Sequence, residues 1–198
     1  GTPTTATEQT DTLYNIENVI GSLGNDTITG NNEVNTLQGG VGDDIIDGGE
    51  GVDTVFYYDD GFDSAFNPLL DTVAQITSQG VTVNLQTGIA TDNWGNTDTL
   101  SNVEGIVGSQ FNDSLTGNDL DNEIEGGAGS DTLTGGLGND TFKFNAGDSV
   151  LLGINNTSNI IDVITDLNVG DKIDLSTIAI SNNLNLITSG ILAADFSG

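Results

Sequence analysis

Apolar side chains recur along this chain every nine residues, in two blocks at 12–56 and 99–143. The first block reads TLYNIENVI, GSLGNDTIT, GNNEVNTLQ, GGVGDDIID, GGEGVDTVF. The second reads TLSNVEGIV, GSQFNDSLT, GNDLDNEIE, GGAGSDTLT, GGLGNDTFK. Position 8 of every nonamer is apolar: Val19, Ile28, Leu37, Ile46, Val55, Ile106, Leu115, Ile124, Leu133 and Phe142. Positions 7 and 9 are mostly polar, as in Thr27/Thr29, Thr36/Gln38, Ser114/Thr116 and Thr132/Thr134. One buried side chain between two exposed ones is a very short strand, because side chains alternate across a strand. Position 1 is Gly in eight of the ten nonamers, which suits a turn needing backbone shapes that a Cβ forbids. Strand, turn, strand, turn at 18 residues per coil predicts an all-β fold, a parallel β-roll of two short parallel sheets back to back.

The blocks align at a constant offset of 87, Asp11 with Asp98, Asn15 with Asn102 and Asp44 with Asp131, so the chain contains an internal duplication. The expected division is a first roll block over 1–56, an insertion and linking strands over 57–98, a second block over 99–150, and a C-terminal β cap over 151–198. Residues 57–80 break the repeat, with a short helix expected around 69–78 and Tyr57, Tyr58, Phe62 and Phe66 as apolar core of the insertion. VTVNL (81–85) alternates as a strand. IIDVITDL, KIDLSTIAI and NLNLIT read as strands that cover the open end of the second roll, since a bare sheet edge invites pairing with other chains. The leading GTPTTATEQT lacks the basic and apolar regions of a signal peptide and reads as a cut inside a longer protein. No apolar run of 18 residues is present to span a membrane.

Composition narrows the chemistry. Thirty Asp and Glu face only Lys143 and Lys172, with no Arg, for a formal charge of −28. Such a chain repels nucleic acid. The acids are ordered: position 6 holds Glu17, Asp26, Asp44, Asp53, Glu104, Asp113, Asp131 and Asp140, with Asn35 and Asn122 in the other two slots. Without Cys or His, disulfides, thiolate sites, the usual zinc sites and His-dependent triads are all excluded. Hard oxygen ligands remain, and calcium takes six to eight of them at about 2.3–2.6 Å. Asp and Asn also cap turns through nearby backbone amides, so each position-6 residue has that second reading. No catalytic constellation is visible, and the chain reads as a non-enzyme. Asp59 and Asp60 read as solvated acids in a loop, and Trp94 as a packed aromatic at a coil corner.

GGxGxD followed by any residue, an apolar one and any residue resembles the RTX (hemolysin-type) calcium-binding repeat, most closely at 39–47, 126–134 and 135–143. IIDVITDLNVGDKIDLSTI (160–178) resembles the stretch after the repeats in serralysin-type C-terminal domains and in calcium-binding modules of alginate epimerases. The resemblance implies that turns 18 residues apart share an ion through carbonyls of positions 1, 3 and 5 in one turn and 2 and 4 in the next, joined by the position-6 carboxylate. It thereby pairs Gly21, Leu23, Gly24, Asn25 and Asp26 with Gly39, Gly40, Val41, Gly42, Asp43 and Asp44. It pairs the turn ending at Asn35 with Gly48, Gly49, Glu50, Gly51 and Asp53. In the second block it pairs Gly108, Asn112 and Asp113 with Gly126, Gly127, Ala128, Gly129 and Asp131, and the turn ending at Asn122 with Gly135, Gly136, Gly138 and Asp140. Glu17 and Glu104 would serve further ions at the leading edges, about four to eight in total. Asn35 and Asn122 bring no charge, which weakens their sites.

The energetics make folding conditional on the ion. Two carboxylates about 4 Å apart repel by roughly 4 kcal/mol at an effective dielectric of 20. Three-residue strands bury little area against a chain entropy of roughly 1–2 kcal/mol per residue. Binding energy then becomes folding energy. The resemblance further implies a bacterial protein that is secreted or held at the cell surface, exported by type I secretion machinery. This chain would be a structural, secretion-coupled module of a larger extracellular protein. The alternative is a carbohydrate- or ice-binding module of a calcium-dependent adhesin or S-layer protein.

Overall fold

A three-residue strand can bury only its middle side chain, and the chain builds its core in that way, one residue per strand. The computed structural model describes residues 16–57, 79–145 and 162–177. The first block forms β1 (Asn18–Ile20), β2 (Thr27–Thr29), β3 (Thr36–Gln38), β4 (Ile45–Asp47) and β5 (Thr54–Phe56). Then come β6 (Thr82–Asn84), β7 (Ile89–Thr91) and β8 (Thr97–Ser101). The second block gives β9 (Gly105–Val107), β10 (Ser114–Thr116), β11 (Glu123–Glu125), β12 (Thr132–Thr134) and β13 (Thr141–Lys143), followed by β14 (Val163–Ile164) and β15 (Lys172–Asp174). Among the described residues there is no helix. The helix expected near 69–78, the strand expected at 183–188, and Tyr58, Asp59, Asp60, Phe62 and Phe66 lie outside the described residues.

Odd and even turns of the coil feed two sheets. The seven-stranded sheet runs β1-β3-β5-β9-β11-β13-β15, parallel throughout and in a register that stacks Val19, Leu37, Val55, Ile106, Ile124, Phe142 and Ile173. The eight-stranded sheet runs β14-β12-β10-β6-β7-β8-β4-β2. Its inward column comprises Ile28, Ile46, Leu100, Ala90, Val83, Leu115, Leu133 and the partly buried Ile164. Nine of the ten position-8 residues are buried, and Val19 in the first strand packs partly buried against them. The architecture is the expected β-roll.

Two features depart from the simple repeat. β5 pairs directly with β9, so the seven-stranded sheet crosses from one block to the other without a break. Ile106 sits at that junction and is fully buried. Ile106→Ala should therefore cost about 2–5 kcal/mol, read as a lower denaturant midpoint of the calcium-loaded chain. On the opposite face, three strands stand between β4 and β10 where the alternation asks for one. The additional hairpin is β6-β7-β8, antiparallel at both of its pairings. Two extra strands widen that face by roughly 10 Å. Of the hairpin's three strands, the alternation of VTVNL (81–85) marks only β6 in the sequence.

Within the strands expected at 160–167 and 172–180, the described residues form β14 and β15, and these continue the roll. β14 pairs parallel with β12, and β15 pairs parallel with β13, so they cover those edges with one further coil of the same kind. They belong to two degenerate nonamers, 157–165 and 166–174, with Asp162 and Asp171 at position 6 and Ile164 and Ile173 at position 8.

Candidate metal centre

The fold buries position 6 in seven of the ten nonamers, leaving Asp26 and Glu104 half-buried and Glu17 exposed. Asn35, Asp44, Asp53, Asp113, Asn122, Asp131 and Asp140 are all buried, flanking the core column. Their carboxylates or amides form a ladder along each edge of the roll. Asp44 Oδ1 accepts the Asp26 amide at 2.8 Å, Asp53 Oδ1 the Asn35 amide at 2.7 Å, Asp131 Oδ1 the Asp113 amide at 2.9 Å and Asp140 Oδ1 the Asn122 amide at 2.9 Å. Each bond spans 18 residues, so the four expected pairs of turns do stack: 21–26 on 39–44, 30–35 on 48–53, 108–113 on 126–131 and 117–122 on 135–140.

Three ladder members escaped the sequence reading. Asp98 accepts the Asp44 amide at 3.1 Å, Asp162 the Asp131 amide at 2.9 Å and Asp171 the Asp140 amide at 3.0 Å. Their signal was an Asp two residues before an apolar residue, without the glycines. Glu104 also joins, its carboxylate accepting the Asp53 amide at 3.0 Å. Glu17 enters the ladder through its carbonyl, which accepts the Thr36 amide.

The residue at position 2 separates two kinds of turn. Where position 2 is Ser or Asn, that residue's amide bonds the position-6 side chain. Ser22 donates to Asp26 at 2.6 Å, Asn31 to Asn35 at 2.7 Å, Ser109 to Asp113 at 2.5 Å and Asn118 to Asn122 at 2.8 Å. These are self-capped turns. Where position 2 is Gly, the backbone turns to positive φ, +99° at Gly40 and Gly49 and +102° at Gly136. The next amide then reaches the earlier turn, Val41 to the Ser22 carbonyl and Leu137 to the Asn118 carbonyl. The Oδ2 atoms of Asp44, Asp53 and Asp140 are buried in these turns and accept no hydrogen bond from any described residue.

A buried carboxylate oxygen without a donor is costly unless a cation meets it. Burial raises the pKa of Asp44, Asp53, Asp113 and Asp140 above the ordinary carboxylate value. Neighbouring acids push further, Asp26, Asp92 and Asp43 on Asp44 and Asp171, Asp166 and Asp121 on Asp140. The only ion pair among the described residues is the exposed Lys143–Glu123 contact, so protein cations do not neutralise this charge. Nor do three carboxylates converge on one point among the described residues. A cation must therefore take most of its ligands from backbone carbonyls. Those carbonyls are stacked, Gly39 on Gly21, Gly48 on Gly30, Gly126 on Gly108 and Gly135 on Gly117, so closely that a Cβ on any of the four earlier glycines would strike the carbonyl above it. Hard oxygens around an orphan carboxylate oxygen fit calcium.

The RTX calcium-binding nonapeptide repeat profile matches residues 20–55 and 116–151, as four copies. These segments are RTX calcium-binding repeats. The RTX match takes in the orphan oxygens of Asp44, Asp53 and Asp140. Turn 108–113 falls outside the matched residues yet stacks on the RTX turn 126–131 like the others. The same holds for Asp98, Asp162 and Asp171, which extend the RTX ladder beyond the matched segments. No curated protein matches the chain.

Proposed function

We propose that this calcium-binding β-roll is folded by its ions and serves as the structural, secretion-coupled part of a larger extracellular protein. The observation that carries the reading is the set of buried Oδ2 atoms on Asp44, Asp53 and Asp140 with no donor. In a chain of net charge −28, a roll that buries its acids needs millimolar calcium outside the cell and stays open where calcium is scarce. An open chain is what a type I exporter can pass, and the bacterial exterior is where it would close. The module has no catalytic role of its own in this reading.

The carbohydrate or ice reading would use the outer face of the eight-stranded sheet, where Thr27, Thr29, Thr132 and Thr134 point outward. Ile45, Asp47, Ile89 and Val163 interrupt those rows, which favours the first reading. Equilibrium dialysis of the full chain against millimolar calcium should find several ions per chain. Uptake of one ion or none would overturn the proposal.

A further inference from the structure

In a chain of net charge −28, the outer face of the eight-stranded sheet carries no charge over most of its width. From β8 across β7, β6, β10 and β12 to β14, the outward side chains fall into two rows. Strand register sets Thr97, Thr91, Thr82, Ser114, Thr132 and Val163 side by side in one. It sets Thr99, Ile89, Asn84, Thr116 and Thr134 side by side in the other. Thr165 extends that second row, its hydroxyl 2.7 Å from that of Thr134. Eight of these twelve residues are threonine, and none is acidic, basic or aromatic. All are exposed or half-buried. The other sheet differs, with Glu123, Glu125, Lys143, Lys172 and Asp174 on its outer face.

The antiparallel hairpin makes the uncharged face this wide. β6 and β7 supply Thr82, Asn84, Ile89 and Thr91, four of the twelve positions. Beyond β8 the pattern stops, where Ile45 lies beside Thr99 and Asp47 beside Ser101.

Neighbouring strands are about 4.8 Å apart, and residues two apart along a strand about 6.7 Å. The rows therefore form a rectangular grid of hydroxyls and methyls roughly 24 Å long. Threonine, valine and isoleucine are all stiff at χ1, so the grid is ordered before anything binds, which lowers the entropy cost of binding. Its two spacings come near those between oxygens on a prism face of hexagonal ice. Water held on such a grid continues the crystal, whereas a strongly hydrated charged group imposes a water shell of its own. A sugar ring fits less well, because neither row offers it an aromatic plane to stack on.

We propose that this face, from β8 to β14, binds ice through an ordered first layer of water. The function is additional to the structural role of the module. The face exists only in the folded roll, so the proposal rests on the calcium reading for its fold.

Partition of the full chain into slowly growing ice tests it, in saturating calcium and with the β-sheet spectrum checked by circular dichroism. The wild type should enter the ice. Thr82→Tyr and Thr132→Tyr each keep β propensity and raise a ring within the grid, so both should lose that uptake and stay in the liquid. Thr36→Tyr, on the outer face of the seven-stranded sheet, should enter the ice like the wild type. A folded wild type excluded from the ice would overturn the proposal, as would folded grid variants that enter as readily as the wild type. Exclusion from ice with retention on crystalline cellulose or chitin would overturn it too, and would assign the face to a glycan. A wild-type chain without β-structure in saturating calcium would overturn the calcium reading of the fold, and this proposal with it.

Discussion

Gly42→Ala will destabilise the calcium-loaded roll by about 3 kcal/mol, whereas Gly24→Ala, at the same repeat position one coil earlier, will change it by less than about 0.5 kcal/mol. Gly42 has φ +138°, and an added Cβ would lie 2.7 Å from the Gly24 carbonyl carbon and 2.9 Å from the Asn25 nitrogen. Both atoms are backbone, in a stack whose spacing is set by the strands, so neither can move aside. Gly24 has nothing within 4 Å of its Cβ position. It occupies the same slot in a self-capped turn, where Ser22 holds Asp26 and no earlier described turn lies beneath. Urea midpoints of the two variants in saturating calcium read the difference. Equal midpoints would mean that the turns are not stacked as described.

Acid will restore part of the roll to the calcium-free chain. Burial, then neighbouring carboxylates, raise the folded-state pKa of Asp44 and Asp140 above the ordinary 3.8, and take Asp98 to about 6. An acid with a higher pKa folded than unfolded takes up a proton on folding. Its contribution therefore favours the roll fully below the unfolded value and disappears as pH rises through the folded value. For Asp98 that window lies between 3.8 and about 6. Circular dichroism of the chelated chain should show β-structure growing as pH is lowered through it. With calcium present the sign reverses for the ions, because protons compete for the same oxygens, and calcium affinity should fall over the same range. A chelated chain that loses structure on acidification would show that the buried acids are not the unfavourable element.

The sequence was most readable where one residue type answers one physical demand. Position 8 must be apolar because it alone faces the core, and the described strands centre on the expected residues from Val19 to Phe142. The pairing of turns followed from the 18-residue coil. What escaped the reading lacks glycine at positions 1, 2 and 4 of its nonamer. Asp98, Asp162 and Asp171 need only a carboxylate at position 6 to receive the amide of the turn before, with Leu100 buried and Ile164 partly buried two residues later and Ile173 in register with Phe142. Glycine is demanded elsewhere, at positions 2 and 4 of turns such as 39–44 and 135–140, where φ is positive. The glycine rhythm therefore ends at Lys143, one coil before β14 and β15. The antiparallel β6-β7-β8 hairpin was hidden for a different reason. Its strands bury one apolar residue each, Val83, Ala90 and Leu100, and Ala90 is too small to mark an apolar period. Nor could the sequence separate self-capped from open turns until the Ser22 and Ser109 amides were seen on Asp26 and Asp113.

The central claim is that coordination, more than the single-file core, pays the entropy of ordering this acidic chain. Far-ultraviolet circular dichroism of the full chain at neutral pH, titrated from excess chelator into millimolar calcium, tests it most directly. A cooperative transition from a disordered to a β-sheet spectrum is the predicted result. A chelated chain already showing the full β-sheet spectrum, unchanged as calcium is added, would contradict it.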